Sequence, residues 1–150
     1  MSERDAEIHI DDETFPDAPV GLIEKAVRLT LDAEGRGDVE VSVALLPDEE
    51  MRRLNQEFLS KDTTTDVLAF ALSGDDGRTL GDVYLGFDQA RRQSEELAVP
   101  LREELARLAI HGTLHVLGHD HPDGQERSES PMFLLQERLL RELMEDVGTR

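Results

Sequence analysis

Residues 101–121 read LREELARLAIHGTLHVLGHDH, and this stretch decides the fold. Pro100 precedes it, and proline is common where a helix begins. Apolar residues from Leu101 to Leu117 cover most of the circumference of the helix that would follow. Because a helix that is apolar nearly all round belongs in the interior of a domain, we predict a central, buried helix. Gly118 ends it, since glycine permits the left-handed backbone that reverses the chain.

Four of the five histidines fall in residues 111–121. His111 and His115 are four positions apart, so their imidazoles share one face of the predicted helix. The reversal at Gly118 can bring His121 back opposite this pair. Three neutral imidazoles with one position left open are typical of a catalytic zinc site. If they were only polar residues near a helix end, each would need a hydrogen-bond partner or cost roughly 1–3 kcal/mol.

The remaining polar residues of this segment have a different expected place. His119 lies beside the chain reversal, and we expect it outside the ligand set, either exposed or behind a ligand. Asp120 is a candidate to accept the free N–H of a ligand histidine. His9 carries no motif in its own segment, and we interpret it as incidental.

The rest of the chain predicts a single α+β domain over residues 1–150, with about four strands in a small mixed sheet and about five helices around the central one. Alternating apolar residues indicate the strands, and apolar residues at helical spacing indicate the helices. Met51, Leu54 and Phe58 are predicted to form the buried face of the second helix. The predicted strands are 7–11, 39–45, 66–72 and 80–87, and the predicted helices are 20–31, 47–58, 89–97, 101–117 and 131–144.

The composition narrows the functional classes. The chain has no cysteine, which excludes a disulfide framework, a thiolate zinc site and a cysteine nucleophile. Its net charge is −18, which indicates either a solvated surface that serves solubility or adaptation to high salt. A nucleic-acid ligand would therefore need a local cationic patch or a metal ion to overcome the overall field. No apolar run is long enough to span a membrane, and no signal peptide is evident, so we expect a cytoplasmic protein.

The histidine spacing also matches the H-E-x-x-H-x-x-G-x-x-H motif of metzincin peptidases. In those enzymes the glutamate is the general base, and Gly112 stands at that position here. A peptidase is therefore disfavoured. Asp66 and Asp82 are the polar residues of two apolar strands, and we predict that they form hydrogen bonds at strand ends rather than act as catalytic acids.

Several separated motifs together resemble one known family, the YbeY endoribonucleases. Residues 111–121 are similar to its H-G-x-L-H-L-x-G-[YH]-D-H motif. Residues 54–70, LNQEFLSKDTTTDVLAF, resemble its L-N-x-x-[YF]-R-x-K-D-x-x-T-D-V-L-S-F segment. Residues 81–83, GDV, and Met132 with Gln136-Glu137 resemble its G-D-[IV] strand and its final helix.

The resemblance implies a zinc-dependent, single-strand-specific endoribonuclease that acts in 3′-end maturation of small-subunit ribosomal RNA and in ribosome quality control. It implies one Zn²⁺ per chain, with His111, His115 and His121 as the ligands. The implied partners are single-stranded RNA and ribosomal RNA or the small ribosomal subunit. We expect no role for DNA or a membrane. The nucleophile is left open between a metal-bound hydroxide and the RNA's own 2′-hydroxyl.

One position departs from the family pattern. The arginine that the family places after the aromatic residue is Leu59 here, which removes a natural bidentate phosphate clamp. Lys61 is the expected substrate-binding cation, acting as a point charge. The missing arginine, together with the missing carboxylate base, keeps open the alternative of a non-catalytic, zinc-stabilised ribosome-assembly or RNA-binding factor. A metallopeptidase is the third alternative.

Overall fold

The computed structural model describes residues 6–60, 64–119 and 130–148. These ranges contain four strands and five helices, which confirms the predicted α+β class. The strands are β1 (Glu7–Asp11), β2 (Val39–Leu46), β3 (Val67–Ser73) and β4 (Thr79–Gly86). The helices are α1 (Val20–Ala33), α2 (Asp48–Leu59), α3 (Phe87–Leu97), α4 (Leu101–Val116) and α5 (Pro131–Gly148).

The strands form one mixed sheet in the order β1-β2-β4-β3. β1, β2 and β4 run parallel, and β3 is antiparallel to β4. The register of the β3–β4 hairpin pairs Leu68 with Tyr84 and Phe70 with Asp82. β3 therefore forms one edge of the sheet, and its first residues lie beside the carboxyl end of β4.

Helix α4 lies directly on β4 because glycine occupies the contact points. A Cβ at Gly81 would be 2.5 Å from Val116 Cγ1, and a Cβ at Gly112 would be 2.6 Å from Val83 Cγ1. Gly81 and Val83 of β4 thus face the helix, while Asp82 and Tyr84 face the opposite side. α4 also packs against α1, α3 and α5 and is buried over most of its surface, as its apolar pattern predicted.

The predicted end of this helix is confirmed. Gly118 has φ +100°, a left-handed conformation that an L side chain adopts only with strain. Its backbone N–H donates to the carbonyl of His115, and the N–H of His119 donates to that of Leu114. The chain therefore turns away immediately after the two helical histidines.

The predicted buried face of α2 is wrong at one position. Phe58 is 56% exposed, whereas Met51 and the polar Asn55 are buried. α2 packs through its first turns, so its last turn projects beyond the core. There the ring of Phe58 contacts the ring of Phe70 with centroids 5.2 Å apart.

Candidate metal centre and adjoining cavity

The two helical histidines meet at one point. His111 and His115 lie one turn apart on α4, and their Nε2 atoms are 3.1 Å apart. Their rings are close to perpendicular, with an interplanar angle of 75°. Two imidazole ligands of one tetrahedral zinc ion have their nitrogens about 3.3 Å apart, given Zn–N bonds of 2.0–2.1 Å. The spacing and the donor type therefore fit two neighbouring ligands of one zinc ion.

The other ring nitrogen of His111 contacts helix α5. Gln136 Oε1 lies 2.6 Å from His111 Nδ1, and Gln136 is only 4% exposed. The amide nitrogen of the same side chain donates to Glu137 Oε2 at 2.9 Å. α5 thus contacts the histidine pair through one buried amide.

A partly buried ion cluster lies one helical turn before His111. Arg107 donates from Nε to Glu137 Oε2 at 2.9 Å and from Nη2 to Glu137 Oε1 at 3.3 Å, and it also forms an ion pair with Glu104. Glu104 is 2% exposed and accepts a hydrogen bond from Gln93 at 2.8 Å. Burial by itself lowers the pKa of Arg107, but the hydrogen bond and charge of Glu137 and the charge of Glu104 outweigh it and raise that pKa. The guanidinium is therefore firmly charged and committed to internal partners.

A cavity of about 280 Å³ opens beside His111. Its walls come from the start of β3, from α3, from α4 and from α5. Asp66, just before β3, belongs to the lining of this cavity. Its backbone carbonyl accepts a hydrogen bond from the N–H of Gly86. The lining residues are Asp66, Gln93, Glu104, Arg107, Leu108, His111, Ser130, Met132, Phe133 and Gln136.

The two aspartates that were predicted to be strand-end residues have different places. Asp66 does lie at a strand end, and it also lines the cavity, which the strand pattern did not indicate. Asp82 is in the middle of β4, on the face away from α4, so its predicted place at a strand end is wrong. Burial and the charge of Asp82 together raise the pKa of Tyr84 on that face.

The other two histidines among the described residues, His119 and His9, have partners elsewhere. His119 Nε2 is 2.5 Å from Glu34 Oε1, at the end of α1. His9, which we interpret as incidental, lies close to Glu7 and Glu40. One imidazole nitrogen of His9 and one carboxylate oxygen of each glutamate lie within 4.8 Å of one another. That group consists of solvated side chains on β1 and β2.

Three residues with predicted roles lie outside the described residues: Lys61, Asp120 and His121. The structure therefore brings together His111 and His115 of the predicted ligand set. It adds residues that the sequence analysis did not assign to the site, namely Glu104, Arg107 and Gln136. The only sequence signals for these were the spacing of Glu104 and Arg107 on α4 and the family-like Gln136-Glu137 pair.

Two imidazoles that a buried helix presents next to a cavity, within an α+β domain, form a donor pair that fits one metal ion. Residues 4–144 match the protein family described as "Endoribonuclease YbeY". The chain therefore belongs to the YbeY family of endoribonucleases, which are hydrolases that act on RNA.

Individual relatives agree with this assignment. The endoribonuclease YbeY of Aquifex aeolicus is 44% identical over 109 residues, which cover 71% of this chain and 73% of that protein. The endoribonuclease YbeY of Bacillus licheniformis is 38% identical over 147 residues and covers 89% of this chain and 92% of its own. The solution structure of TM1509 from Thermotoga maritima superposes with a TM-score of 0.64 at 28% identity, covering 96% of this chain and 92% of the other.

Among residues 6–60, 64–119 and 130–148, no helix combines the length and the apolar character needed to cross a bilayer.

Proposed function

We propose that this chain is a zinc-dependent endoribonuclease that cleaves single-stranded RNA during 3′-end maturation of small-subunit ribosomal RNA and in ribosome quality control, and that it works in the cytoplasm. The observation that carries the zinc proposal is the convergence of His111 and His115, with Nε2 atoms 3.1 Å apart beside a cavity. The family assignment supports the RNA substrate, and the resemblance of the motifs supports the ribosomal role.

The proposed zinc ligands are His111, His115 and His121, with one ion per chain. When bound, zinc supplies a Lewis-acid charge that polarises a phosphoryl oxygen and lowers the pKa of a water molecule. The helix places both imidazoles on rigid, buried backbone, which reduces the reorganisation needed for binding. With three protein ligands the site keeps an open position, as catalytic zinc sites do.

Arg107 is a poor candidate to bind the RNA phosphate. Its guanidinium hydrogen-bonds to Glu137 and forms an ion pair with Glu104, so its charge is already balanced inside the protein. Leu59, where the family pattern has arginine, is 48% exposed and brings no charge. We therefore propose Lys61 as the cation that supplements the metal in attracting the phosphate.

Asp66 is our candidate for proton transfer in this cavity. Asp66 lines the same cavity as His111, and its side chain makes no hydrogen bond or ion pair with another residue that the structure describes. Glu104, the other carboxylate of the lining, is held by Arg107 and Gln93. A carboxylate without such partners is available to hold a proton from water or from the RNA 2′-hydroxyl.

Elemental analysis combined with an RNA cleavage assay tests the proposal. We expect about one zinc ion per chain and chelator-sensitive cleavage of single-stranded RNA. His111→Ala or His115→Ala removes both, because each deletes a ligand. His119→Ala, whose ring contacts Glu34 instead, retains most of the zinc. If His119→Ala empties the site and His121→Ala does not, the proposed third ligand is wrong.

Two aspartate variants test the proton-transfer role. Asp66→Asn should keep its zinc and lose about 100-fold or more in cleavage rate, the range of general acid–base effects. Asp82→Asn, the same change on the opposite face of the sheet, should cleave at the wild-type rate. Zinc binding without RNA cleavage in the wild-type protein would instead favour the zinc-stabilised assembly factor, which the Leu59 departure keeps as the second candidate. Chelator-sensitive hydrolysis of casein would contradict both.

A further inference from the structure

We propose that Gln136 is a positioning residue that orients the ring of His111 and fixes its tautomer through a hydrogen bond to Nδ1, so that Nε2 of His111 is directed at the metal position. This inference rests on the proposed function for its purpose. Its geometry, however, involves only protein atoms. Three contacts carry it: the contact between Gln136 and His111, the contact between Gln136 and Glu137, and the ion pair of Glu137 with Arg107.

The ion pair fixes Glu137 as an acceptor. Arg107 donates to both carboxylate oxygens of Glu137, so both oxygens act as acceptors. Gln136 lies 2.9 Å from one of these oxygens and must present its NH₂ group there. The reverse orientation of the amide would place a carbonyl oxygen against a carboxylate oxygen. The amide orientation is therefore determined by its partner.

The orientation of the Gln136 amide then determines which ring nitrogen of His111 carries the proton. With its nitrogen committed to Glu137, Gln136 turns its carbonyl oxygen toward His111 Nδ1, 2.6 Å away. A carbonyl oxygen only accepts, so Nδ1 must carry the proton. A neutral imidazole has one protonated nitrogen, so Nε2 of His111 is the acceptor nitrogen of the ring. That atom is the one that lies 3.1 Å from Nε2 of His115.

The chain of contacts also fixes the direction of the ring. It joins α4 to α5 through side chains that are buried or nearly so: Gln136 is 4% exposed, and the Arg107 side chain is 19% exposed. Outer partners of this kind raise the basicity of a ligand histidine, and their loss costs 10- to 100-fold in metal affinity. Gln136 is thus a residue that acts on the metal through His111 without touching it.

The test combines ring-nitrogen NMR on metal-free protein with zinc affinity measured by competition against a chromogenic chelator. In metal-free wild type we expect His111 to be protonated at Nδ1 and unprotonated at Nε2. Gln136→Met, of similar shape and without an acceptor, should populate the Nε2–H form and weaken zinc binding about 10- to 100-fold. Gln136→Glu restores an acceptor and should recover the Nδ1–H form. Gln56→Met makes the same change at an exposed position of α2 and should alter neither readout.

Each result separates this inference from the proposed function. An Nε2–H form of His111 in the metal-free wild type overturns the inference, whatever the protein binds. If wild type and Gln136→Met both bind zinc and do so with equal affinity, the inference is also overturned. A wild type that shows the Nδ1–H form but takes up no zinc contradicts the proposed function and supports the assignment of the tautomer.

Discussion

Gly112 lies between the two helical histidines, and replacing it by alanine probes how closely α4 must approach the sheet. A Cβ at this position would lie 2.6 Å from Val83 Cγ1 and 3.2 Å from Val67 Cγ2. Val83 is fully buried and branched at Cβ, so it has little freedom to move away. The helix itself must shift, and with it the imidazoles of His111 and His115. The same contact explains why a peptidase-like glutamate has no room here.

The expected change in the free energy of unfolding is the difference between two opposing contributions. Overpacking a well-filled core costs about 1–3 kcal/mol. Alanine is better than glycine in a helix by about 1 kcal/mol, which offsets part of this. We therefore expect Gly112→Ala to lower the free energy of unfolding by about 1 kcal/mol, the difference between the middle of that range and the gain. For a chain of this length, this corresponds to a fall in Tm of about 3 °C.

Thermal and urea unfolding measure this change, and Gly21→Ala is the matched control. Gly21 is also helical, and a Cβ there meets nothing within 4 Å, so alanine should leave stability unchanged or raise it. Zinc affinity in Gly112→Ala should fall as well, because the ligand-bearing turn moves. If Gly112→Ala is as stable as Gly21→Ala, α4 is not held against β4 by close packing, and the reasoning fails.

Three further changes address charge. Leu59→Arg should raise single-stranded RNA cleavage by about tenfold at low salt through one charge-assisted contact, with a smaller gain at high salt, and Leu59→Gln should give none. The hydrogen bond from Arg92 lowers the pKa of Asp48 below 3.8, so the pair stabilises the fold above that pH and stops doing so as the pH falls through the lowered pKa. Because both side chains are largely exposed, Asp48→Asn should cost less than about 1 kcal/mol at pH 7 and nothing at pH 2, by urea unfolding. Arg107→Met should cost about 3–5 kcal/mol by leaving Glu104 buried without its cation, and adding Glu104→Gln should recover part of that in the same assay.

Local sequence patterns were sufficient for the helices and strands. Burial of α4 follows from apolar residues at helical spacing, and its end follows from Gly118, since both depend on neighbours within a few positions. The four-residue spacing of His111 and His115 likewise places their rings on one face, and the structure confirms this at 3.1 Å. Phe58 shows the limit of such patterns: its spacing suits a buried face, but the helix extends past the core that would cover it.

Tertiary structure decided what depends on residues far apart in the chain. The order β1-β2-β4-β3 places β4 in the interior of the sheet, so Asp82 lies between Ser42 of β2 and Phe70 of β3. Gln136 comes 25 residues after His111, and Glu137 comes 30 after Arg107, so no local period signals their contacts. Sequence alone therefore determined the helix and the histidine pair, because both are properties of one turn. The cavity and the partners that orient His111 required α5 and β3 to pack beside α4, because such contacts form only between segments that folding brings together.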